Sequence, residues 1–545
     1  MSDEYTANEF TKKLTGFSKA ASQNNFFELI RSVGKILFIF LLIIPATFSN
    51  IDNEVDVLPF AKQVVNHNWL PNDWYLNLDI GYRLPFSLFI GHLVSWLGFE
   101  AGGYVGRLLI YLILGIAFYT LFRALQLKFP FGLLALLLFV SNQSLVAGEW
   151  IIDGAETKPI AYALAILSFA FFFRKRFLLG FAFAGAAISF HVLVGFHALF
   201  CTAVAILLNK EWRSQWRQYF IHSWPFFITA SFGLVAITKQ LFEQSNVDAH
   251  KAWEIYVQFR NPHHTLPSAW DGSLWVGLLI LAIGLFLVMY FVGRSDAVRF
   301  VSAYALGSVL LFLFGLTLFA LGETTLLRYY WFRFADVMIM FLSTVLIALV
   351  LDEIGDGRIF TSRFLYQLQL KLQPKLKYLL GRIAPTVIIY AAILMIFLSL
   401  YQLSTNYKNS RQSNTEPRIS AFEWISEYTP KEAIFLVDPG MFDFYLHAER
   451  AMFVSWKHVP NSATDILEWY ARIILCNGGR LPEKNGFDSV EELQSNFYKL
   501  NEEQIQQIAD SYGISYYLGH PSQGLSFEMV YSNQSFAVYK INDNN

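Results

Sequence analysis

The chain has 545 residues, 55% hydrophobic and 17% aromatic, with only 15% charged. A soluble domain of this length needs far more charge to cover its surface, so composition excludes an ordinary soluble enzyme. The net charge of −1 says nothing about nucleic acid, and no basic block suggests such a partner, so none is expected.

Several apolar runs reach the roughly 17–25 residues that cross a bilayer, and mean hydropathy is +0.39. The sequence predicts a mainly α, polytopic membrane protein with about 11 transmembrane helices. Residues 1–33 are polar, carry Lys12, Lys13, Lys19 and Arg31, and end in Phe26, Phe27, Leu29 and Ile30. That pattern suggests a short helix on the membrane surface. The first span is expected at 34–50, as a retained span and not a cleaved signal. The first loop, 51–84, then carries Asp52, Glu54 and Asp56. Within it, VLPFAKQVVNHNW can form a short amphipathic helix. The segment 85–99 is too short to cross and reads as a re-entrant or surface helix.

Further spans are expected at 102–122, 130–146 and 159–173, with GEWIIDGAETK an exposed loop before the last of these. One helix over 177–208 would be roughly 48 Å long, too long for a core of roughly 30 Å. Lys175 and Arg176 flank one end, and Lys210, Arg213 and Arg217 flank the other. Basic residues at both ends place both in the cytoplasm, so two short spans turning near Val194-Gly195-Phe196 are expected. Later spans fall at 219–241, 273–293, 300–321, 330–351 and 384–402. The basic loop 352–383 belongs inside, the N-terminus inside and the C-terminus outside. The three parts are a cytoplasmic segment 1–33, a transmembrane domain 34–402, and an extracytoplasmic domain 403–545. In that last part, strands at 433–438, 452–456, 515–518, 527–531 and 536–541 alternate with helices at 466–475 and 501–512. Asn501 is the expected N-cap of the latter, and the whole reads as a small α/β domain. Cys201 lies in an apolar span and Cys476 in this tail, so no disulfide framework is expected.

Polar residues gather on the side of the acidic loop. In an extended segment Asp52, Glu54 and Asp56 point the same way. Such carboxylates can act as general base on a hydroxyl, and Asp52 and Glu54 can hold a divalent cation such as magnesium or manganese. No metal ligand set is otherwise assigned. Glu156 and Lys158 flank the start of a span, Lys158 as a phosphate or sugar contact oriented by Glu156, or the two as a local ion pair. His191 lies near a helix turn where a broken span can line a cavity. Arg260, His263 and His264 form the densest cluster, and the Arg260 fork suits phosphate. Arg333 and Asp336 are three apart on one helix face; Arg333 is the foremost candidate to bind a lipid-linked phosphate, a reading compatible with a helix-internal ion pair to Asp336.

With these features in place, the chain resembles the GT-C superfamily of membrane glycosyltransferases. The acidic segment IDNEVD, with Asp52 and Glu54, is similar to the acidic pair of that family's first loop. PRISAFEWISEYTPKEAIFLVDP is similar to the start of its ectodomains. The resemblance implies a sugar donor on polyprenyl phosphate or diphosphate, a glycan, lipid or protein acceptor, and a site in the plasma (inner) membrane facing outward. Two other readings stay open. One is a metal-independent transferase resembling the O-antigen ligases, which the RNPHH loop suits. The other is a non-catalytic scaffold or transporter, although no internal repeat supports transport.

Overall fold

The computed structural model describes residues 26–44, 53–79, 81–242, 248–292, 295–356, 374–412 and 417–541. The chain is mainly helical, with one small sheet near its C-terminus. Among the described residues, four helices are long and apolar enough to cross a membrane: Leu84–Leu125, Asp296–Ala320, Trp331–Gly355 and Pro374–Leu398. Phe129–Ser141, Thr157–Phe173, Phe177–Phe190, Val192–Leu208 and Gly272–Val288 are shorter apolar helices. Large apolar side chains such as Phe220, Phe227, Val235, Leu279, Phe286 and Phe397 stay exposed on outer helix faces. Water does not favour so many exposed large apolar side chains on long apolar helices, but lipid does. The protein is a multi-pass membrane protein.

The first helix, α1, runs unbroken over 26–43, so the expected surface helix and the start of the first span are one element. The expected end of that span, and Asp52, lie outside the described residues. Helix α2 (Glu54–Val65) leads to α3 (Leu84–Leu125), which bends where Gly98 takes φ 80°. This left-handed residue separates the short helix from the span expected at 102–122. Gly91 lets α2 and α3 touch, since a Cβ there would lie 2.2 Å from the Ala61 carbonyl oxygen. Helices α4 (Phe129–Ser141) and α5 (Thr157–Phe173) follow.

Over 177–208 the chain does form two helices, α6 (Phe177–Phe190) and α7 (Val192–Leu208). The break is at extended His191, not at 194–196. The chain folds back there: a Cβ on Gly195 would sit 2.5 Å from the Ile188 amide nitrogen. In place of one span at 219–241 stand three short helices, Trp216–His222, Trp224–Thr229 and Ser231–Phe242. Helix α8 (Ala249–Glu254) runs into a wider turn, Ile255–Arg260. Then come α9 (Gly272–Val292), α10 (Asp296–Ala320), α11 (Trp331–Gly355) and α12 (Ala384–Gln412). The expected basic loop at 352–383 lies partly outside the described residues.

The tail folds as a five-stranded mixed sheet in the order β2-β1-β3-β5-β4. The strands are β1 (Ile434–Leu436), β2 (Ala451–Met452), β3 (Tyr516–Gly519), β4 (Glu528–Ser532) and β5 (Ala537–Lys540). Strand β1 pairs in parallel with β2 and β3, while β5 runs antiparallel to both its neighbours. Helices Ala463–Cys476 and Glu502–Tyr512 match the sequence reading, and Asn501 caps the second in a reciprocal capping box with Gln504. Helices Pro417–Tyr428 and Asp488–Phe497 were not anticipated.

The tail is sewn onto the first loop. Lys62 pairs with Glu449 at 2.7 Å, and the same carboxylate accepts the Trp69 indole N–H at 2.7 Å. Asp73 accepts from the Leu76 amide at 2.7 Å, the Tyr445 hydroxyl at 2.7 Å and the Met452 amide at 3.1 Å. Burial outweighs these bonds and lifts its carboxyl from 3.8 to about 6. The folded state therefore binds this proton more tightly than the unfolded chain does. Its contribution is full below about pH 4 and is lost as pH rises through about 6. We expect thermal stability to fall by roughly 3 kcal/mol at most across this window. Asp73→Asn should flatten the fall; an unchanged pH slope in that variant would remove Asp73 as its source.

Candidate active site

The segment 142–156 is the centre of the site. It is irregular yet mostly buried, contrary to the expectation of an exposed loop. Buried backbone donors need partners, and here side chains supply them. Gln143 accepts from the Ile151 and Ile152 amides at 3.1 and 2.8 Å and donates to the Ile152 carbonyl at 2.9 Å. Asp336 accepts from the Ser144 hydroxyl at 2.5 Å and from the amides of Leu145, Val146 and Ala147 at 3.0, 3.2 and 2.9 Å. It is fully buried, and it anchors this loop instead of pairing with Arg333.

The acids of the first loop part company. Glu54 and Asp56 lie in the first turn of α2, a helix and not the extended segment expected, so they do not share a face. Glu54 is buried and held by Arg107 from α3 in a two-pronged pair, Nε–Oε1 2.5 Å and Nη2–Oε2 2.6 Å. Its Oε1 also accepts the Ala155 amide at 2.7 Å. Both oxygens are engaged, which does not fit the metal ligand expected there. Among the described residues, no three His, Cys, Asp or Glu side chains gather as a donor set for a metal. Asp56 instead takes the Tyr75 hydroxyl at 2.6 Å and Arg83 at 3.1 Å. Burial alone would raise its carboxyl, but Arg83, His458 and Tyr75 outweigh it and hold it below 3.8.

A chain of alternating charges starts beside these acids. Asn53 donates to Glu156 at 3.2 Å and to Asp153 at 3.5 Å. Lys158 sits between Glu156 (3.6 Å) and Glu149 (3.4 Å), and Glu149 binds Arg333 at 2.6 Å. Arg333 donates onward to the Gly148 carbonyl at 3.0 Å, and the adjacent Ala147 carbonyl meets His264 Nδ1 at 2.7 Å. Asp153 and Glu156 are a buried carboxyl pair. Burial and Glu156 push Asp153 up, while Lys158 and the bonds from Asp153 and Asn53 overcome burial and hold Glu156 down. Two carboxyls this close titrate as a pair and not one by one. His191 accepts the Val194 amide at 3.4 Å and lies within the fields of Lys158, Arg333, Glu156 and Arg83.

The third wall is the junction with the tail. Arg260 is 7% exposed and lies 3.9 Å above the Trp456 ring. Its guanidinium donates to the Lys457 carbonyl at 3.3 Å and to the Asn261 side chain at 3.4 Å, while its Nε has no partner. Among the described residues no carboxylate pairs with it. Tyr256 and Tyr330 join hydroxyls at 2.6 Å and, with Asp56 and Tyr75, make up the field around it. His263 packs on His264 at 3.9 Å and on Phe487 at 4.9 Å, and its Nδ1 is buried without a partner. Burial, Arg260 and Arg333 push His263 down to about 3, so it is neutral.

Glu54, Asp56, Glu156, Lys158, His191, Arg260, His263, His264, Arg333 and Asp336 thus fall in one connected polar region. Sequence reading missed Asn53, Tyr75, Arg83, Arg107, Glu149, Asp153 and His458. One signal was available: Glu149, Asp153 and Glu156 recur within eight residues of apolar sequence, a pattern no solvated loop needs. We expect Glu54→Gln to strip Arg107 of its charge partner and cost about 3–5 kcal/mol of stability. Joining it to Arg107→Met should recover part of that loss in thermal melts of detergent-purified protein. A Glu54→Gln melt equal to wild type would return Glu54 to the catalytic candidates.

Residues 417–476 match a family model described as a domain of unknown function, DUF6798. No curated protein matches the sequence. Among solved structures, the chain is similar to ArnT from Cupriavidus metallidurans bound to undecaprenyl phosphate, at 11% identity, 94% of this chain, 97% of that chain and a TM-score of 0.46. For the same protein in the apo state the values are 11%, 95%, 98% and 0.47. It is also similar to the Archaeoglobus fulgidus oligosaccharyltransferase tethered with an acceptor peptide, at 12%, 90%, 69% and 0.44. Likenesses this distant fix neither reaction nor substrate, which must come from the residues.

Proposed function

We propose that this protein is a membrane glycosyltransferase of the GT-C type. It moves a sugar from a polyprenyl phosphate or diphosphate donor to a hydroxyl acceptor on the extracytoplasmic face. One observation carries the reading: Arg260 is a buried guanidinium with no carboxylate partner among the described residues, within the field of the Asp56 carboxylate. A buried unpaired cation is costly, and an anion in the donor would relieve that cost. Arg260 is the phosphate anchor in this reading. Arg333 is the weaker candidate, because Glu149 already neutralises it.

The chemistry then needs a base. As the acceptor oxygen bonds to the anomeric carbon, its proton passes to Asp56 and the bond from that carbon to the phosphate oxygen breaks. The phosphate leaves with the electron pair, steadied by Arg260. Asp56 is a weak base, since its carboxyl is held low. It suffices late in the transfer, when the forming bond has acidified the proton. Tyr75 and Arg83 fix its direction. Glu156 and Lys158 flank the sugar side, and His191 and His264 complete the wall. Glu54 and Asp336 act by holding the loop between them.

The ligase-like reading has one observation in its favour, the unpartnered nitrogens of Arg260 and His263 in one loop. Activity separates the two. In transfer assays with a panel of polyprenyl-phosphate sugars, Asp56→Asn should lower the rate by about 10²–10⁴-fold. His263→Ala should cost far less. The reverse order would favour the ligase-like reading, and wild-type rates in both would leave a scaffold. Arg260→Ala should weaken donor binding by roughly 1.5–3 kcal/mol, and more than Arg333→Ala does.

The orientation is part of the proposal: N-terminus in the cytoplasm, tail outside. Cys201 and Cys476 are both buried, so single added cysteines report cleanly. A cysteine at exposed Gln507 should react with an impermeant maleimide in intact cells, and one at exposed Lys375 only after lysis. The opposite pattern would place the proposed site on the cytoplasmic face.

A further inference from the structure

Helix α2 contains Pro59, five residues in from its start. Proline has no N–H, so the helical bond that should reach the Val55 carbonyl from position 59 cannot form. That carbonyl belongs to the residue just before Asp56. It is not left empty: His458, from the tail and 403 residues away in sequence, meets it through Nε2 at 3.1 Å. The imidazole is 1% exposed. Burial drives its pKa down to about 4, so it is neutral and Nε2 carries the proton that is donated.

The same ring is held by two stacking contacts. It stacks on Tyr75 at 5.4 Å and 16°, and on Tyr445 at 5.2 Å and 26°. Tyr75 is the residue whose hydroxyl binds Asp56. One imidazole therefore fixes Asp56 twice, through the backbone beside it and through the ring of its hydrogen-bond donor. Tyr445 is in turn tied to Asp73 of the first loop at 2.7 Å.

We propose that His458 is a positioning residue for the transfer reaction, and that the tail domain acts in catalysis by aiming Asp56 through this contact. The inference rests on Asp56 being the base, so its test has a readout that needs no substrate. His458→Phe keeps an aromatic ring between Tyr75 and Tyr445 but removes the donor to Val55. Pro59→Ala restores an amide at position 59 that can reach the Val55 carbonyl within the helix. Amide exchange over residues 54–60, read by mass spectrometry on the full-length protein, should quicken several-fold in His458→Phe and return towards wild type in the double variant. Transfer assays with the active polyprenyl-phosphate sugar should show about a tenfold fall in kcat in His458→Phe with little change in KM, and recovery in the double variant.

Unchanged exchange over 54–60 in His458→Phe overturns the proposal. So does a loss of kcat that Pro59→Ala cannot rescue, because His458 would then serve only to dock the tail. If the wild-type protein transfers no sugar while exchange follows the expected pattern, the transferase reading fails and the aiming contact stands as a structural fact.

Discussion

An irregular stretch of backbone buried inside a helical membrane protein must have its polar groups satisfied without water. The segment 142–156 meets this demand with side chains from across the chain. Asp336 from α11, Glu54 from α2 and Gln143 from the segment itself take its amides. Each of the two acids is fixed by that duty. Glu54 in turn needs Arg107, since a buried carboxylate without a cation would be costly. The positions of α2, α3 and α11 follow from one another through this loop, and Glu149, Asp153 and Glu156 are presented from it.

The charges can then be sorted by what they are free to do. Arg107 is spent on Glu54, Arg83 on Asp56, Arg333 on Glu149, and Lys158 is shared by Glu149 and Glu156. These pairs hold shape and orient their members, but offer little extra positive field to a ligand. Arg260 differs in kind. Its contacts are carbonyl and amide oxygens and the face of Trp456, all neutral. A guanidinium so placed keeps its charge and, among the described residues, has no carboxylate in contact with it. In the proposed reading that difference makes Arg260 the phosphate anchor, although the sequence pointed first to Arg333.

Much of the fold was legible because it depends on local chemistry. Apolar length marked out long helices and set the short run 85–99 apart from the longer one after it, and Asn501 marked the start of the helix over 502–512. The break in 177–208 was legible from length and flanking charge, though three residues off, because extended His191 leaves no compositional trace. The polar residues were legible as a group, but the contacts each of them makes were not. Glu54 and Asp56 looked like partners only while α2 was taken as extended; a helix turns them 200° apart over two residues at 100° each. The partners that set them apart, Arg107 for one and Tyr75 with His458 for the other, are 53, 19 and about 400 residues away, and such pairing has no local signal.

The same distances bear on how the site comes into being. The membrane helices can bury their faces against one another as soon as they are made. Asp73, the Val55 carbonyl and the face of Arg260 cannot be satisfied then, for their partners are Tyr445, Met452, His458 and Trp456. Contacts so remote in sequence form late, after the loop-closure entropy between them has been overcome. Before that, Asp56 lacks the stacked Tyr75 and the fixed first turn that direct it. The contacts that hold Asp56 in place thus include the longest-range ones in this region, those between the first loop and the tail.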